Sequence, residues 1–225
     1  MAALIKRAAV FLRREFWGAV MPEQEGEEMD IDFYWDIGST NTYFAFHLLR
    51  PLAAKYDAKI NYVPFNLGYV FRHHGYALTQ EPKAKMKNRK DDLMRWASRY
   101  QLPFRIPDQF PIKTSRVLKG AIVAQEHNVL MPFLDEIFSR YWEQNDATIG
   151  SDAGLHAIAQ AIGISDPEIF VKEIDAQAAR DTLVNATQTA LDEGIFGAPT
   201  IRLGGEIYWG KDRFEFIESQ LQALA

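Results

Sequence analysis

The chain has 225 residues, of which 48% are hydrophobic, 13% aromatic and 24% charged. This composition is typical of a folded globular protein and excludes wholesale disorder and fibrous architectures. The formal net charge of −5 provides no overall positive field for DNA or RNA, so we expect no nucleic-acid partner. The sequence contains no cysteine, which excludes disulfides and thiolate metal sites. Any thiol chemistry must therefore use a thiol from another molecule.

Residues 4–21 alternate apolar and basic positions with a helical period, which predicts an amphipathic helix. Arg13 and Arg14 interrupt its apolar centre, which excludes a secretory signal. Two interpretations remain open: a transit peptide or membrane-surface helix, and a docking or dimerising arm. The acidic stretch that follows is typical of a linker, so we assign residues 1–29 to an amphipathic helix and an acidic linker.

The main domain begins with a predicted strand, helix and strand. Residues 31–35 form an apolar, β-prone run, residues 39–56 carry apolar side chains at helical spacing, and residues 59–64 form a second strand. Such a unit predicts two parallel strands in a covered sheet. Ser39 stands where the first strand passes into the helix, and the N–H groups and dipole of a helix start favour an anion. Helix capping alone also explains a serine here.

The middle of the chain is predicted to be helical. Helical spacing of apolar residues occurs at about 83–101, 114–142, 151–163 and 166–192. Five basic residues in the first of these stretches are typical of a solvated helix face, although one of them has the charge to contact an anionic ligand. None of the five histidines has the spacing of a metal-binding motif, so we expect no metal site.

The end of the chain returns to β structure. Residues 198–203 and 206–209 predict a hairpin around Gly204 and Gly205, and a final helix is predicted from Lys211 to Leu224. This element order predicts an α/β, thioredoxin-like fold. We assign residues 30–66 and 193–225 to the thioredoxin-like domain and residues 67–192 to a large all-helical insertion. The sheet would bring these two distant segments together, so we look for the site where they meet.

Two short motifs lie in this last segment. Pro199 cannot donate a ladder hydrogen bond, which favours either an ordinary edge strand or a tight, cis connection. In the second case the backbone of Ala198 is free to pair with an extended peptide. Asp212 has the charge to hold an ammonium group while N–H groups at the helix start hold a carboxylate; stabilisation of the helix dipole is the alternative.

Four segments are distinctive when they are taken together in chain order. They are DFYWDIGSTNTYFA (32–45), VPFNL (63–67), DDLMRWASRYQLPF (91–104) and GIFGAPTIRLGGEIYWGKDRF (194–214), and the last is the most specific. These segments resemble the kappa-class glutathione transferase and 2-hydroxychromene-2-carboxylate isomerase family. The resemblance spans roughly residues 30–222. It implies a thioredoxin-like fold akin to bacterial Dsb-type thiol oxidoreductases, a homodimer, and the use of glutathione with a small electrophilic or aromatic substrate.

The resemblance also implies roles for individual residues. Ser39 matches the serine whose hydroxyl faces the glutathione sulfur, which makes it a donor to a thiolate and not the nucleophile. Pro199 would be the family's cis-proline. The positions that match glutathione-binding residues are Ser39, Thr40, Asn41, Asn66, Lys85, Ala198, Pro199, Lys211 and Asp212. Thr40 stands where family members often have proline, and Asn88 and Lys113 replace a tyrosine and an asparagine.

The function implied is a glutathione-dependent cis-trans isomerase like 2-hydroxychromene-2-carboxylate isomerase. A kappa-type glutathione transferase or peroxidase and a non-catalytic thioredoxin-like binding module are the alternatives. We expect a bacterial cytoplasmic protein by default. Location in an organelle is the alternative, because the first segment is basic and amphipathic.

Overall fold

The computed structural model describes residues 29–76 and 81–225. The predicted amphipathic helix at residues 4–21 lies outside the described residues, as does most of the predicted linker. Within the described ranges, no helix is both long and apolar enough to cross a membrane.

Four strands form one mixed sheet in the order β2-β1-β3-β4. They are β1 (Asp30–Trp35), β2 (Lys59–Pro64), β3 (Thr200–Leu203) and β4 (Glu206–Trp209). β1 pairs in parallel with β2 and antiparallel with β3, and β3 pairs antiparallel with β4. Tyr34 lies opposite Thr200 in this register. The residues that follow β1 therefore lie beside the residues that precede β3.

Helix α1 (Thr40–Lys55) connects β1 to β2, so the predicted strand, helix and parallel strand are confirmed. Its apolar residues recur at helical spacing and are buried, among them Tyr43, Phe44 and Phe46. The ring of Phe46 stacks on Phe138 with centroids 4.3 Å apart. This packing fixes the axis of α1, and with it the direction in which the N-terminus of the helix points.

Helices occupy the described chain between β2 and β3. They are α2 (Leu67–His73), α3 (Lys83–Tyr100), α4 (Ser115–Glu126), α5 (Leu130–Trp142), a short 3₁₀ helix (Ala147–Gly150), α6 (Asp152–Ala161), α7 (Pro167–Asp175) and α8 (Gln177–Asp192). Two stretches that were each predicted to be helical throughout are each divided into two helices. The stretch 114–142 is broken at Asn128, which has a left-handed φ of 59°. The stretch 166–192 is broken at Ala176, which is extended.

The sheet is covered on both faces. Phe33 and Trp35 of β1 belong to a hydrophobic core that extends into helices α4 to α8. On the other face, Tyr34 packs with Phe65 and Ala198 in a smaller cluster. The helices between β2 and β3 therefore share a core with the sheet, and the division of the chain into two domains at residues 67–192 stays a prediction.

The last segment differs from its prediction in two boundaries. The hairpin forms as expected, and Gly204 and Gly205 at its turn have φ values of 54° and 82°. β3 begins at Thr200 and not at Ala198. The final helix α9 (Phe214–Leu224) begins three residues later than predicted, so Lys211 and Asp212 lie in the connection before it. Gly210, with a φ of 110°, turns the chain away from a helical path at this point.

Candidate functional site

The two segments expected to form the site do meet. The hydroxyl of Ser39 donates a hydrogen bond to the carbonyl oxygen of Ala198 at 2.9 Å, across 159 positions of sequence. Its oxygen also accepts from the backbone N–H of Thr42 at 3.4 Å, so Ser39 is the N-cap of α1. Ser39 therefore caps the helix, and its hydroxyl also points towards the opposite segment, while its role towards an anion stays a prediction.

The N-terminus of α1 offers further donors. Thr40 and Asn41 are the first two residues of the helix and are half-buried. Their backbone N–H groups precede the first intrahelical hydrogen bond, and neither has an acceptor within the described residues. No acidic residue lies in the first turn of α1. The positive end of the helix dipole is therefore not neutralised there by a carboxylate on the helix itself.

Ala198 and Pro199 form the wall opposite this helix start. The peptide bond between them is cis, and Ala198 is 8% exposed. The Pro199 carbonyl accepts from the N–H of Gly210 at 3.0 Å, which ties the wall to the connection that carries Lys211. The N–H of Ala198 has no acceptor in the part of the chain that the structure describes. It remains available to a ligand beside Ser39.

Asn66 caps the neighbouring helix. Its side-chain oxygen accepts from the N–H of Tyr69 at 3.1 Å at the start of α2, and its own N–H donates to the Thr187 hydroxyl at 3.2 Å. The contact with Thr187 fixes Asn66 against helix α8. Capping uses the oxygen of this amide, so a ligand would meet its NH₂ group.

Lys211 is held by helix α3. Its ammonium nitrogen lies 2.9 Å from Asp92 and 4.6 Å from the ring centroid of Trp96, and its side chain is 12% exposed. Asp212 is exposed beside Arg213. The expected first-turn position of this pair was wrong, because α9 starts only after Arg213.

Lys85 lies apart from these contacts. Its ammonium group pairs with Glu81 at 3.0 Å, and its side chain is 62% exposed. Asn88 and Lys113 are also exposed. The structure therefore brings Ser39 and Ala198 into contact and does not bring Lys85 to them.

Sequence reasoning missed Asp36, at the end of β1. Its carboxylate is 1% exposed and accepts three hydrogen bonds, from the N–H of Gly38 at 2.8 Å, the N–H of Leu67 at 2.9 Å and the Thr114 hydroxyl at 3.1 Å. Burial raises the pKa of Asp36 to about 6, although these hydrogen bonds lower it. An acidic residue directly after an apolar strand and two residues before a glycine was the signal available in the sequence.

The raised pKa of Asp36 predicts a pH dependence of stability. The folded chain keeps this proton up to about pH 6, whereas the unfolded chain releases it near pH 3.8. The folded state binds more protons in this window, so the free energy of unfolding should fall by roughly 3 kcal/mol as the pH rises through it. Urea unfolding of the wild type and Asp36→Asn across this range measures the fall, which the variant should lack. Equal pH slopes in both proteins would contradict the prediction.

Comparison with known proteins identifies the family. A family model described as the DSBA-like thioredoxin domain matches residues 30–222. The chain belongs to the DSBA-like thioredoxin domain family. This membership confirms the predicted thioredoxin-like fold, and Ser39 and Ala198 lie within the matched part of the DSBA-like domain.

Relatives of this DSBA-like domain are named as enzymes. Glutathione S-transferase kappa 1 of Caenorhabditis elegans is 27% identical over 205 residues, which cover 85% of this chain and 90% of the relative. A 2-hydroxychromene-2-carboxylate isomerase of Pseudomonas putida is 28% identical over 199 residues, covering 87% and 96%. A solved 2-hydroxychromene-2-carboxylate isomerase structure has a TM-score of 0.76 at 28% identity, with coverage of 87% and 96%. The predicted resemblance to this family is therefore confirmed.

Proposed function

We propose that this chain is a glutathione-dependent enzyme, a cis-trans isomerase like 2-hydroxychromene-2-carboxylate isomerase, in which Ser39 stabilises the thiolate of bound glutathione. One observation carries the proposal: the Ser39 hydroxyl, at the start of a 16-residue helix, reaches the Ala198 carbonyl on the opposite segment. Relatives that are named 2-hydroxychromene-2-carboxylate isomerase support the proposal of an isomerase.

The groups around Ser39 suit an anionic sulfur. They are donors: the Ser39 hydroxyl and the backbone N–H groups of Thr40, Asn41 and Ala198, which have no acceptors within the described residues. Donors next to a positive helix end favour a thiolate over a thiol. Glutathione, when bound, would supply the thiol that this cysteine-free chain lacks.

Ser39 can change partners at little cost. Its proton now bonds to the neutral carbonyl of Ala198. A hydrogen bond to a charged acceptor contributes about 1.5 to 3 kcal/mol, against about 1 kcal/mol for a neutral one. Rotation of the hydroxyl from Ala198 towards a thiolate is therefore favourable. With the helix N-terminus, this donor would lower a thiol pKa from about 8.5 to about 7.

The rest of the tripeptide would lie along residues already placed around Ser39. The free N–H of Ala198 would pair with the backbone of the cysteinyl unit, and the amide of Asn66 would donate from its NH₂ group. Lys211 and Asp212 carry the charges that suit the carboxylate and ammonium of a γ-glutamyl end. Lys85 is exposed and paired with Glu81, so we assign it at most a contact at the edge of the glutathione site.

A kappa-type glutathione transferase is the second candidate, since the match to glutathione S-transferase kappa 1 is as extensive as the matches to the isomerases. Both reactions need the same activated thiol, so Ser39 has one role in either. The two differ in whether glutathione is regenerated or remains on the product.

Calorimetry with glutathione tests the proposal, with the tripeptide γ-Glu-Ala-Gly as the control that lacks sulfur. We expect glutathione to bind more tightly than the control. Isomerisation of a cis-trans aromatic pyruvate, compared with conjugation of a reactive aryl halide, then distinguishes isomerase from transferase. Absence of binding at millimolar glutathione, with no turnover of either substrate, would overturn the proposal.

A matched pair of variants tests the role of Lys211. Asp92 competes with any ligand carboxylate for the Lys211 ammonium, from which it lies 2.9 Å away. We expect Lys211→Gln to weaken glutathione binding about 10-fold and Asp92→Asn to strengthen it, because a freed ammonium pairs better with the ligand. Calorimetry measures both. If both variants weaken binding equally, the ion pair matters only as a structural link to α3.

A further inference from the structure

Asp36 joins three separate parts of the chain around one buried carboxylate. One of its oxygens accepts from the N–H of Gly38, and the other accepts from the N–H of Leu67 and the hydroxyl of Thr114. Gly38 is bonded to Ser39, Leu67 is bonded to Asn66, and Thr114 immediately precedes α4. A single side chain thus ties the turn before α1 to the turn before α2 and to the helical segment.

The contacts around this carboxylate are close. A Cβ atom added to Gly38 would lie 3.0 Å from the methyl group of Thr114 and 3.3 Å from the Asp36 carboxylate. The turn is also fixed by two backbone carbonyls, since the N–H of Ser39 donates to the Asp36 carbonyl and the Trp142 indole donates to that of Ile37. The position of Ser39 therefore depends on where Asp36 holds the turn.

The charge of Asp36 matters because its partners are donors. Two of them are backbone N–H groups that cannot become acceptors. A carboxylate accepts strongly from both. An amide places a hydrogen against one of them, and a protonated acid offers one of them only a hydroxyl oxygen, which is a weaker acceptor. Asp36 cannot act as a general base, because it is buried and both oxygens are already engaged.

Within residues 29–76 and 81–225, no opposite charge lies beside Asp36. Among the described residues it forms no ion pair. The titratable group that faces it is Tyr141 of α5, whose pKa is raised by burial and then by the Asp36 charge, so Tyr141 stays neutral near pH 7. Because burial raises the pKa of Asp36 to about 6, its ionisation can be followed in mild buffers.

We propose that ionised Asp36 is a positioning residue that holds the Ser39 and Asn66 turns at the separation at which glutathione binds. The role rests on the proposed function, since glutathione is the ligand that would bridge the two turns. Protonation of Asp36 weakens its hydrogen bond to one backbone N–H and loosens the link between the turns, so affinity for glutathione falls on the acid side of neutrality.

Nuclear magnetic resonance tests the structural half without a ligand. The amide protons of Gly38 and Leu67 should titrate together with a midpoint near that of Asp36 in the wild type. Thr114→Val keeps the methyl contact with Gly38 but removes a hydrogen bond that lowers the pKa of Asp36, so the midpoint should move to higher pH. Amides that do not titrate, or a midpoint that Thr114→Val leaves in place, would overturn the proposal.

Calorimetry with glutathione tests the functional half. Wild-type affinity should fall about 10-fold between about pH 7.5 and pH 5, the cost of one weakened hydrogen bond. Thr114→Val should move this fall to higher pH, and Asp36→Asn should bind weakly at every pH. Asp166→Asn is the matched control, because Asp166 also accepts a backbone N–H but caps the distant helix α7; it should behave like the wild type.

The amide titration and the calorimetry together distinguish failure of the role of Asp36 from failure of the proposed function. Titrating amides with no glutathione binding at any pH would overturn the proposed function while supporting Asp36 as the link between the turns. Glutathione binding that does not vary with pH in the wild type would overturn the role of Asp36 and leave the proposed function standing.

Discussion

Ser39→Ala should lower kcat/KM for the glutathione-dependent reaction about 10- to 100-fold, because a hydroxyl donor stabilises a charged acceptor by about 1.5 to 3 kcal/mol. The loss should shrink as the pH rises, since free thiolate becomes abundant without the donor. The variant also loses its helix cap and its bond to Ala198, so the free energy of unfolding should fall by about 1 kcal/mol. Rates across pH and urea unfolding measure the two effects.

Ser151→Ala is the matched control for this substitution. Ser151 caps α6 as Ser39 caps α1, with its hydroxyl oxygen accepting the N–H of Gly154 at 3.1 Å. Its loss should cost a similar free energy of unfolding and leave kcat/KM unchanged. Equal activity of Ser39→Ala and Ser151→Ala at all pH values would mean that Ser39 only caps its helix.

Trp142→Phe should destabilise the chain more than Trp35→Phe, by about 1 to 3 kcal/mol, because it leaves a buried carbonyl without its donor. The Trp142 indole donates to the Ile37 carbonyl at 3.0 Å, and both groups are buried. Trp35 is equally buried, but its indole N–H has no partner among the described residues. The two substitutions remove the same atoms, so their difference in urea unfolding reports the hydrogen bond of Trp142 together with the unpaired N–H that Trp35→Phe removes.

The hydrogen bond of Trp142 also fixes the turn that carries Ser39, since Ile37 lies two residues before it. We therefore expect Trp142→Phe to reduce activity under conditions in which the variant remains folded, and Trp35→Phe to preserve more of it. A Trp35→Phe variant as unstable as Trp142→Phe would show that ring volume, and not the donor, decides the effect.

The parts of the fold with a local pattern could be predicted from the sequence. The apolar, β-prone run in β1, the helical spacing of α1 and the two glycines of the hairpin each predict their element without distant information. The meeting of Ser39 with Ala198 followed from the expected sheet, because adjacent strands place their flanking residues side by side.

The parts that depend on distant contacts could not be predicted. The donors of Asp36 come from positions 38, 67 and 114, and the last two are set by packing of helices. Asp92, which holds Lys211, is 119 positions away. The helix break falls at Ala176, which is neither glycine nor proline, so no local signal marks it. The late start of α9 follows from the direction that the chain takes at Gly210.

Ultraviolet absorption of the thiolate, recorded as bound glutathione is titrated with base, measures the ionisation that the site is proposed to favour. We expect the thiol to titrate at least about one pKa unit below its free value in the wild type, and Ser39→Ala to return most of the difference. A bound thiol that titrates at its free value in both proteins would contradict thiolate stabilisation by Ser39 and the start of α1.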